Sequence, residues 1–150
     1  MIISRASLQG LAEFRHQLRR FLHFSETAAE KFGLQPQQHQ LLLQIAGAPD
    51  GVMPTIGYAA ERLCLRHNST VELSDRCEEA GLLSRIESES DRRCVALKVT
   101  AKGEKLLTAL SIDHARELNE LAPQLTQTLK RLSKANGQNK VLKPRRSDAN

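Results

Sequence analysis

One short segment of this sequence alternates larger apolar residues with small or charged ones, and it fixes where a β-sheet can form. In Val95–Val99 the larger apolar residues occupy every second position, which is typical of a strand with one buried face. The stretch 84–89 before it has charged side chains at alternate positions and predicts a polar partner strand. Ser88, Ser90 and Asp91 have side chains that favour turns. The segment therefore predicts an antiparallel hairpin.

Helical periodicity accounts for most of the remaining sequence. Apolar residues spaced three and four apart predict a long amphipathic first helix over 8–33, and Pro36 opens a second helix. A short third helix is predicted from Thr55, and a fourth helix is closed by Gly81. The predicted fold class is therefore mainly α with a small β-hairpin.

The C-terminal part of the chain is predicted to contain two helices and a tail. Thr100 is a candidate N-cap for a helix that follows the hairpin over 101–121. Pro123 is predicted to open a separate last helix, because proline is favoured at a first helical position and disrupts a helix interior. Residues 136–150 have no periodicity and are predicted to form a disordered basic tail.

The order of these elements is that of a winged helix-turn-helix, in which two short helices are followed by a two-stranded hairpin. We predict one domain over 1–135, with the winged helix-turn-helix at 36–100 and dimerisation helices at 8–33 and 101–135. The apolar stripes of the flanking helices exceed what one small core needs, so a second copy is expected to cover them. The residues expected in that interface are Leu11, Phe14, Leu125 and Leu129.

Composition and charge narrow the possible function classes. The 150-residue chain has a net charge of +5, of which the four basic residues and one acidic residue in 136–150 account for three. Aromatic residues make up only 3% of the chain, which disfavours a base-stacking platform for single-stranded nucleic acid. No apolar run is long enough to span a membrane and the N-terminus lacks a signal-peptide core, so we expect a cytoplasmic protein with no membrane partner.

The sequence contains no pattern typical of a catalytic or metal site. Cys64, Cys77 and Cys94 are odd in number and lack C-x-x-C spacing, which argues against a disulfide framework and a zinc site. The sequence also contains no H-E-x-x-H motif, no G-x-S-x-G motif and no phosphate-binding loop. We therefore expect no enzyme activity, no metal and no cofactor. The cysteines are interpreted as packing residues, because free cysteine is among the most buried residue types.

Two stretches match patterns of a known family. The first, at 69–85, is STVELSDRCEEAGLLSR and follows D-R-L-E-x-x-G-L. The second, at 90–103, is SDRRCVALKVTAKG and follows D-R-R…L-x-L-T-x-x-G. The sequence resembles the MarR (multiple antibiotic resistance regulator) family of transcription regulators over 8–132. Ser74 and Cys77 stand where the family usually has larger apolar residues and Val99 where it has Leu, which concerns the packing of the core.

The resemblance assigns a role to the hairpin tip. It implies that Arg93, together with Arg92, lies on a wing that enters the minor groove of DNA, and that Asp91 orients this pair. Narrow A·T-rich minor grooves concentrate negative potential and attract an inserted arginine. The alternative is a surface hairpin whose charges only keep the protein soluble.

The fourth helix corresponds to the recognition helix, whose N-terminal residues read base edges in the major groove. Helical spacing places an inward face at Thr70, Leu73, Ser74 and Cys77. The candidates for DNA contact are Arg66, His67, Asn68, Ser69, Val71 and Arg76. Asn68 is suited to adenine and Val71 to a thymine methyl, while the basic residues suit phosphate or guanine. Ser69 and Glu72 also fit a capping box, so for that pair helix capping and DNA contact are equal alternatives.

The resemblance further implies a small-molecule pocket between the dimerisation helices and the DNA-binding lobe. The candidates for its wall are His16, Phe21, His23, Phe24 and His39. Ordinary packing is the alternative for these side chains. For the ligand, the resemblance implies a small phenol or aromatic carboxylate.

We therefore predict a homodimeric repressor that binds double-stranded DNA at a pseudo-palindromic operator and is released by such a ligand. One alternative is a cysteine-based redox or metal sensor on the same fold. Another is a protein-interaction adaptor that has lost DNA binding, which the modest charge outside the tail leaves open.

Overall fold

A computed structural model describes residues 3–87 and 95–139 of the chain. Within these residues it contains five helices and one two-stranded sheet, which confirms the predicted fold class. The elements are α1 (Arg5–Lys31), α2 (Pro36–Ala46), α3 (Ile56–Leu63), α4 (His67–Glu79), β1 (Leu83–Glu87), β2 (Val95–Val99) and α5 (Ala101–Asn139). They group into a central unit, Ser25–His114, and a terminal unit from the two ends of the chain.

The central unit has a hydrophobic core formed by the end of α1, helices α2 to α4, the hairpin and the start of α5. Leu41, Leu42, Leu73 and Leu110 are fully buried in it. Burial of one such side chain stabilises the fold by about 1.5–3 kcal/mol, before the conformational entropy that it loses. This core fixes the positions of α4 and the hairpin.

The hairpin confirms the alternation predicted from the sequence. The strands pair antiparallel, with Arg85 opposite Leu97. Leu97 and Val99 are only 2% and 5% exposed, and they turn one face of β2 toward the core. Residues 85–87 of β1 are exposed, as expected for the polar partner strand. The predicted turn at 88–91 lies outside the described residues.

Backbone contacts between the end of α4 and the start of α5 position the hairpin. Gly81 follows the C-terminus of α4 with a φ of +70°, a conformation that favours glycine. The Thr100 hydroxyl donates to the Gly81 carbonyl at 2.6 Å and accepts from the Gly103 N–H at 3.2 Å, so it caps α5 as predicted. A Cβ on Gly103 would lie 2.5 Å from the Leu82 carbonyl oxygen. Only glycine allows this close approach.

Helix α5 differs from the sequence prediction. It is one helix with Pro123 in its interior, whereas two helices divided at Pro123 were predicted. An interior proline costs about 3 kcal/mol or more, because it removes a backbone hydrogen bond and crowds the preceding turn. Leu121, Thr128 and Leu132 are buried on either side of it. Thr128 contacts Gln17 of α1 and Leu132 lies against Gly10, and this packing helps to offset the cost. The helix also includes residues 136–139, which were predicted to belong to the tail.

The terminal unit consists of α1 and α5 segments with few buried side chains. Gly10 allows close packing, since a Cβ there would lie 2.6 Å from Leu132 Cδ2. Gln17 Nε2 donates to Glu13 Oε1 at 2.8 Å and to Thr128 Oγ1 at 3.1 Å. The large apolar side chains left exposed on this unit include Leu8, Leu11, Leu18, Leu22, Leu118 and Leu129. Among the described residues, no helix has the length and apolar character that crossing a membrane requires.

Candidate nucleic-acid interface

A tight turn joins α3 to α4. Thr55 Oγ1 accepts from the Tyr58 N–H at 3.1 Å and caps the start of α3. At the end of α3, Cys64 adopts the left-handed conformation with φ +54° and ψ +39°. The N–H groups of Cys64 and Leu65 bond the last carbonyls of the helix, which closes it sharply. The predicted place of Cys64 in the turn is confirmed. Its interpretation as a packing residue is wrong, because Cys64 is exposed.

The inward face of α4 agrees with the sequence prediction. Its four members, which are fully buried, are Thr70, Leu73, Ser74 and Cys77. The Thr70 hydroxyl donates to the Arg66 carbonyl at 3.0 Å. Burial raises the pKa of the Cys77 thiol to about 11, so the thiol stays protonated and unreactive near neutral pH. Cys77 is a packing residue, as predicted.

The opposite side of α4 carries the predicted DNA-contacting residues. Those that are exposed are Arg66, His67, Asn68, Ser69 and Arg76, and Val71 is half-buried beside them. The first four occupy the N-cap and the first three positions of the helix. Backbone N–H groups at a helix N-terminus lack intrahelical partners and attract anions. The N-terminus of α4, with Arg66 and His67 beside it, is therefore suited to phosphate oxygens.

The capping-box interpretation of Ser69 and Glu72 is wrong. The N-cap is Arg66, whose backbone is extended and whose side chain makes no cap hydrogen bond. Its carbonyl already accepts from the Thr70 N–H at 3.0 Å, so the helix begins at His67. Ser69 is consequently the third residue of the helix, and its exposed hydroxyl is not engaged as an N-cap.

The predicted wing-tip residues Asp91, Arg92 and Arg93 lie outside the described residues, as does Cys94. They fall in the sequence between Glu87 and Val95, which pair with each other at the ends of the two strands.

An ion-pair cluster that was not predicted from the sequence links the hairpin to α4. Arg85 Nη2 lies 2.6 Å from Asp75 Oδ1, and its Nη1 lies 2.5 Å from Glu78 Oε2. The hydrogen bond to Asp75 is the main cause that raises the pKa of Arg85, against a smaller effect of desolvation. The only sequence signal was the spacing of Asp75 and Glu78, which places two carboxylates on one helix face.

The predicted ligand-pocket residues belong to both units. His16 and His23 are exposed on α1, and Phe21 and Phe24 are half-buried there, all in the terminal unit. His39 is buried on α2 in the central unit. A pocket shared by these five residues stays a prediction.

His39 packs against a second histidine, His114, which was not predicted from the sequence to be part of a site. The ring centroids of His39 and His114 are 5.0 Å apart. His114 Nδ1 donates to the Leu110 carbonyl at 2.6 Å, so in a neutral ring Nε2 accepts from the Ser25 hydroxyl at 2.7 Å. Burial, with a smaller contribution from His114, lowers the pKa of His39. The described residues contain no cluster of side chains that could hold a metal ion.

Comparison with known proteins agrees with this geometry. The profile of the MarR family matches residues 32–93, from the end of α1 to the hairpin. The HTH-type transcriptional regulator MhqR of Bacillus subtilis (strain 168) is 31% identical over 97 residues, which span 65% of either chain. Over the winged helix-turn-helix region, this chain is therefore similar to MarR-family regulators.

Solved MarR-family structures share the fold. AbsC from Streptomyces coelicolor superimposes with a TM-score of 0.71 at 20% identity, covering 90% of this chain and 92% of that one. The S. aureus MepR–DNA complex gives a TM-score of 0.62 at 24% identity, covering 84% and 91%. The predicted winged helix-turn-helix is therefore confirmed. The match to MhqR spans less than two thirds of the length of that regulator.

Proposed function

We propose that this protein is a sequence-specific regulator of the MarR family that binds double-stranded DNA as a homodimer. The observation that carries the proposal is the construction of α4. Its inner face is fully buried, which holds the helix rigidly, and its N-terminal residues are exposed after the turn at Cys64. A helix held in this way can insert its first turns into a major groove.

The chemistry of the exposed residues suits base and phosphate contacts. Asn68 offers an amide donor and acceptor, the pair that recognises adenine, and the Val71 side chain can contact a thymine methyl. Arg66, His67 and Arg76 supply donors for phosphate oxygens or guanine, and the Ser69 hydroxyl can bond either a base or the backbone. Arg93, with Arg92 and Asp91, would add a minor-groove contact from the hairpin.

The exposed leucines of the terminal unit support a homodimer. Leu11 and Leu129 are among its exposed apolar side chains, and both were expected in the interface. Two helices with few buried side chains form a poor core, so a second copy that covers the leucines would stabilise them. A two-fold dimer presents two copies of α4, which calls for a pseudo-palindromic operator.

The regulatory step that we propose is repression relieved by a small phenol or aromatic carboxylate. This part rests on the family resemblance. A ligand that binds one spacing of the two recognition helices better than the other would shift the population toward the spacing that does not match DNA.

The test of DNA recognition uses fluorescence anisotropy with DNA from the region that flanks the protein's own gene, searched first for an inverted repeat. We expect the wild type to prefer that site over scrambled DNA. Asn68→Ala should reduce this preference, whereas Asn119→Ala, an exposed asparagine on α5, should not. A wild type that binds all sequences equally, or none, would contradict the proposal and favour the adaptor alternative.

The test of the dimer uses analytical ultracentrifugation at micromolar concentration. Leu129→Glu should produce a monomer, because a carboxylate in an apolar interface is strongly disfavoured. Leu43→Glu is the matched control, since Leu43 is similarly exposed but lies on α2 in the central unit. A monomeric wild type would contradict the proposed assembly.

A further inference from the structure

The recognition helix of this protein is acidic, which is unexpected next to DNA. Within α4 the four carboxylates of Glu72, Asp75, Glu78 and Glu79 stand against one arginine, Arg76. Asp75 lies about 10 Å along the helix axis from Asn68, at a rise of ~1.5 Å per residue. That separation is close to the Debye length at physiological salt, about 8 Å, so its charge would be only partly screened from bound phosphates.

Arg85 neutralises part of this charge from outside the helix. Its two terminal nitrogens engage different carboxylates, Asp75 at 2.6 Å and Glu78 at 2.5 Å. The two acceptors are three residues apart and therefore lie side by side on one face of α4. One guanidinium thus serves two carboxylates at once.

The hairpin register explains how Arg85 reaches the helix. Arg85 is opposite Leu97, and directly opposed residues of an antiparallel pair project from the same face of the sheet. Leu97 is buried in the core, so the Arg85 side chain leaves β1 on the core-facing side. It is 32% exposed, less than Asp75 at 48% or Glu78 at 41%.

We propose that Arg85 neutralises Asp75 and Glu78 so that α4 can approach the DNA backbone. The inference assigns Arg85 a role in DNA binding and not in folding, and it therefore rests on the proposed function. Partly exposed ion pairs contribute little to stability, because water screens them and the side chains lose freedom. Long-range repulsion between unpaired carboxylates and phosphates acts only when DNA is present.

The experiment compares DNA affinity at several salt concentrations, together with melting temperature, for charge variants of the 150-residue protein. Arg85→Gln should melt within about 4 °C of the wild type. It should bind DNA roughly tenfold more weakly at low salt, with a smaller deficit at high salt, because two carboxylates are then unpaired. Arg19→Gln, an exposed arginine on α1, controls for the loss of one positive charge and should bind like the wild type.

Two further variants separate charge balance from other roles of Arg85. Combining Arg85→Gln with Asp75→Asn and Glu78→Gln should recover most of the lost affinity. Asp75→Asn with Glu78→Gln in the wild-type background should bind DNA at least as tightly as the wild type, although both ion pairs are gone. This variant also leaves β1 unaltered, so it tests the same charges if Arg85→Gln unfolds.

Each outcome bears on the inference. Unchanged affinity of Arg85→Gln, no recovery in the triple variant, or weaker binding by the Asp75/Glu78 double variant would each overturn it. Failed recovery would mean that Arg85 uses its own charge on DNA. If the wild type binds no DNA, both the proposed function and this inference are overturned. If the wild type and Arg85→Gln bind DNA equally well, only the inference is overturned.

Discussion

Replacing Gly103 by alanine tests whether the start of α5 positions the hairpin. The added Cβ would lie 2.5 Å from the Leu82 carbonyl oxygen and 2.6 Å from Val99 Cγ1. The valine methyl could rotate away, but the carbonyl belongs to the backbone and accepts from the Thr100 N–H at 3.1 Å. Relief of the clash must therefore move the helix start or lengthen that hydrogen bond.

The expected loss of stability follows from these contacts. Overpacking against well-ordered neighbours costs about 1–3 kcal/mol. Replacing glycine by alanine in a helix returns about 1 kcal/mol, so the net loss should be up to about 2 kcal/mol. For a chain of this size that corresponds to a fall in melting temperature of up to roughly 8 °C.

Differential scanning calorimetry or circular dichroism would measure this change. Gly57→Ala is the matched control, because its Cβ would make only an ordinary 3.7 Å contact with Thr55 Oγ1 in α3. It should leave the melting temperature unchanged or raise it. If Gly103→Ala also melts at or above the wild type, the argument that a close approach at Gly103 holds the hairpin in place is refuted. DNA affinity of the same variant would report the displacement of the hairpin.

Three further outcomes are expected. The free energy of unfolding should fall as the pH drops from 6.5, the ordinary pKa of histidine, toward the lowered pKa of folded His39, because the unfolded chain then binds more protons than the folded one. His39→Gln should flatten this pH dependence of the melting temperature. A variant with the same pH profile as the wild type would contradict this role of His39. A triple cysteine-to-serine variant should lose about 1–3 kcal/mol at the buried Cys77 site yet bind operator normally; release of only the wild type by oxidant or copper would support the sensor alternative. Arg93→Ala should weaken binding to all DNA sequences and lower the slope of log affinity against log salt concentration by about 0.9 per lost contact. Asn68→Ala should cost roughly 1–3 kcal/mol of binding free energy per half-site, at one base pair, and leave that slope unchanged. An Arg93→Ala variant with wild-type affinity and slope would return the hairpin to an ordinary surface feature.

Features that depend on neighbouring residues were predictable from the sequence. The alternation in Val95–Val99 fixed a strand because side chains on a strand alternate between faces. Pro36 and Thr55 marked helix starts because their chemistry matches the first positions of a helix. The buried face of α4 followed from helical spacing, and the structure confirms each of its four members.

Features that depend on residues far apart in the chain were decided only by the tertiary structure. Local preference places a break at Pro123, but packing on both sides of it keeps α5 continuous. The first residue of α4 was set by the extended backbone of Arg66 after the turn at Cys64, not by the cap-like residues Ser69 and Glu72.

The side-chain contacts around α4 and His39 also depended on residues far apart in the chain. Helical spacing put Asp75 and Glu78 on one face, but only the register of β1 brought Arg85 to them. His114 reaches Ser25 across 89 residues of sequence, so no local pattern could have paired them. A sequence of this kind determines periodicity and end signals through short-range sterics and hydrogen bonding. The partners of charged and buried polar groups depend on how the core assembles, since that packing brings distant side chains within bonding distance.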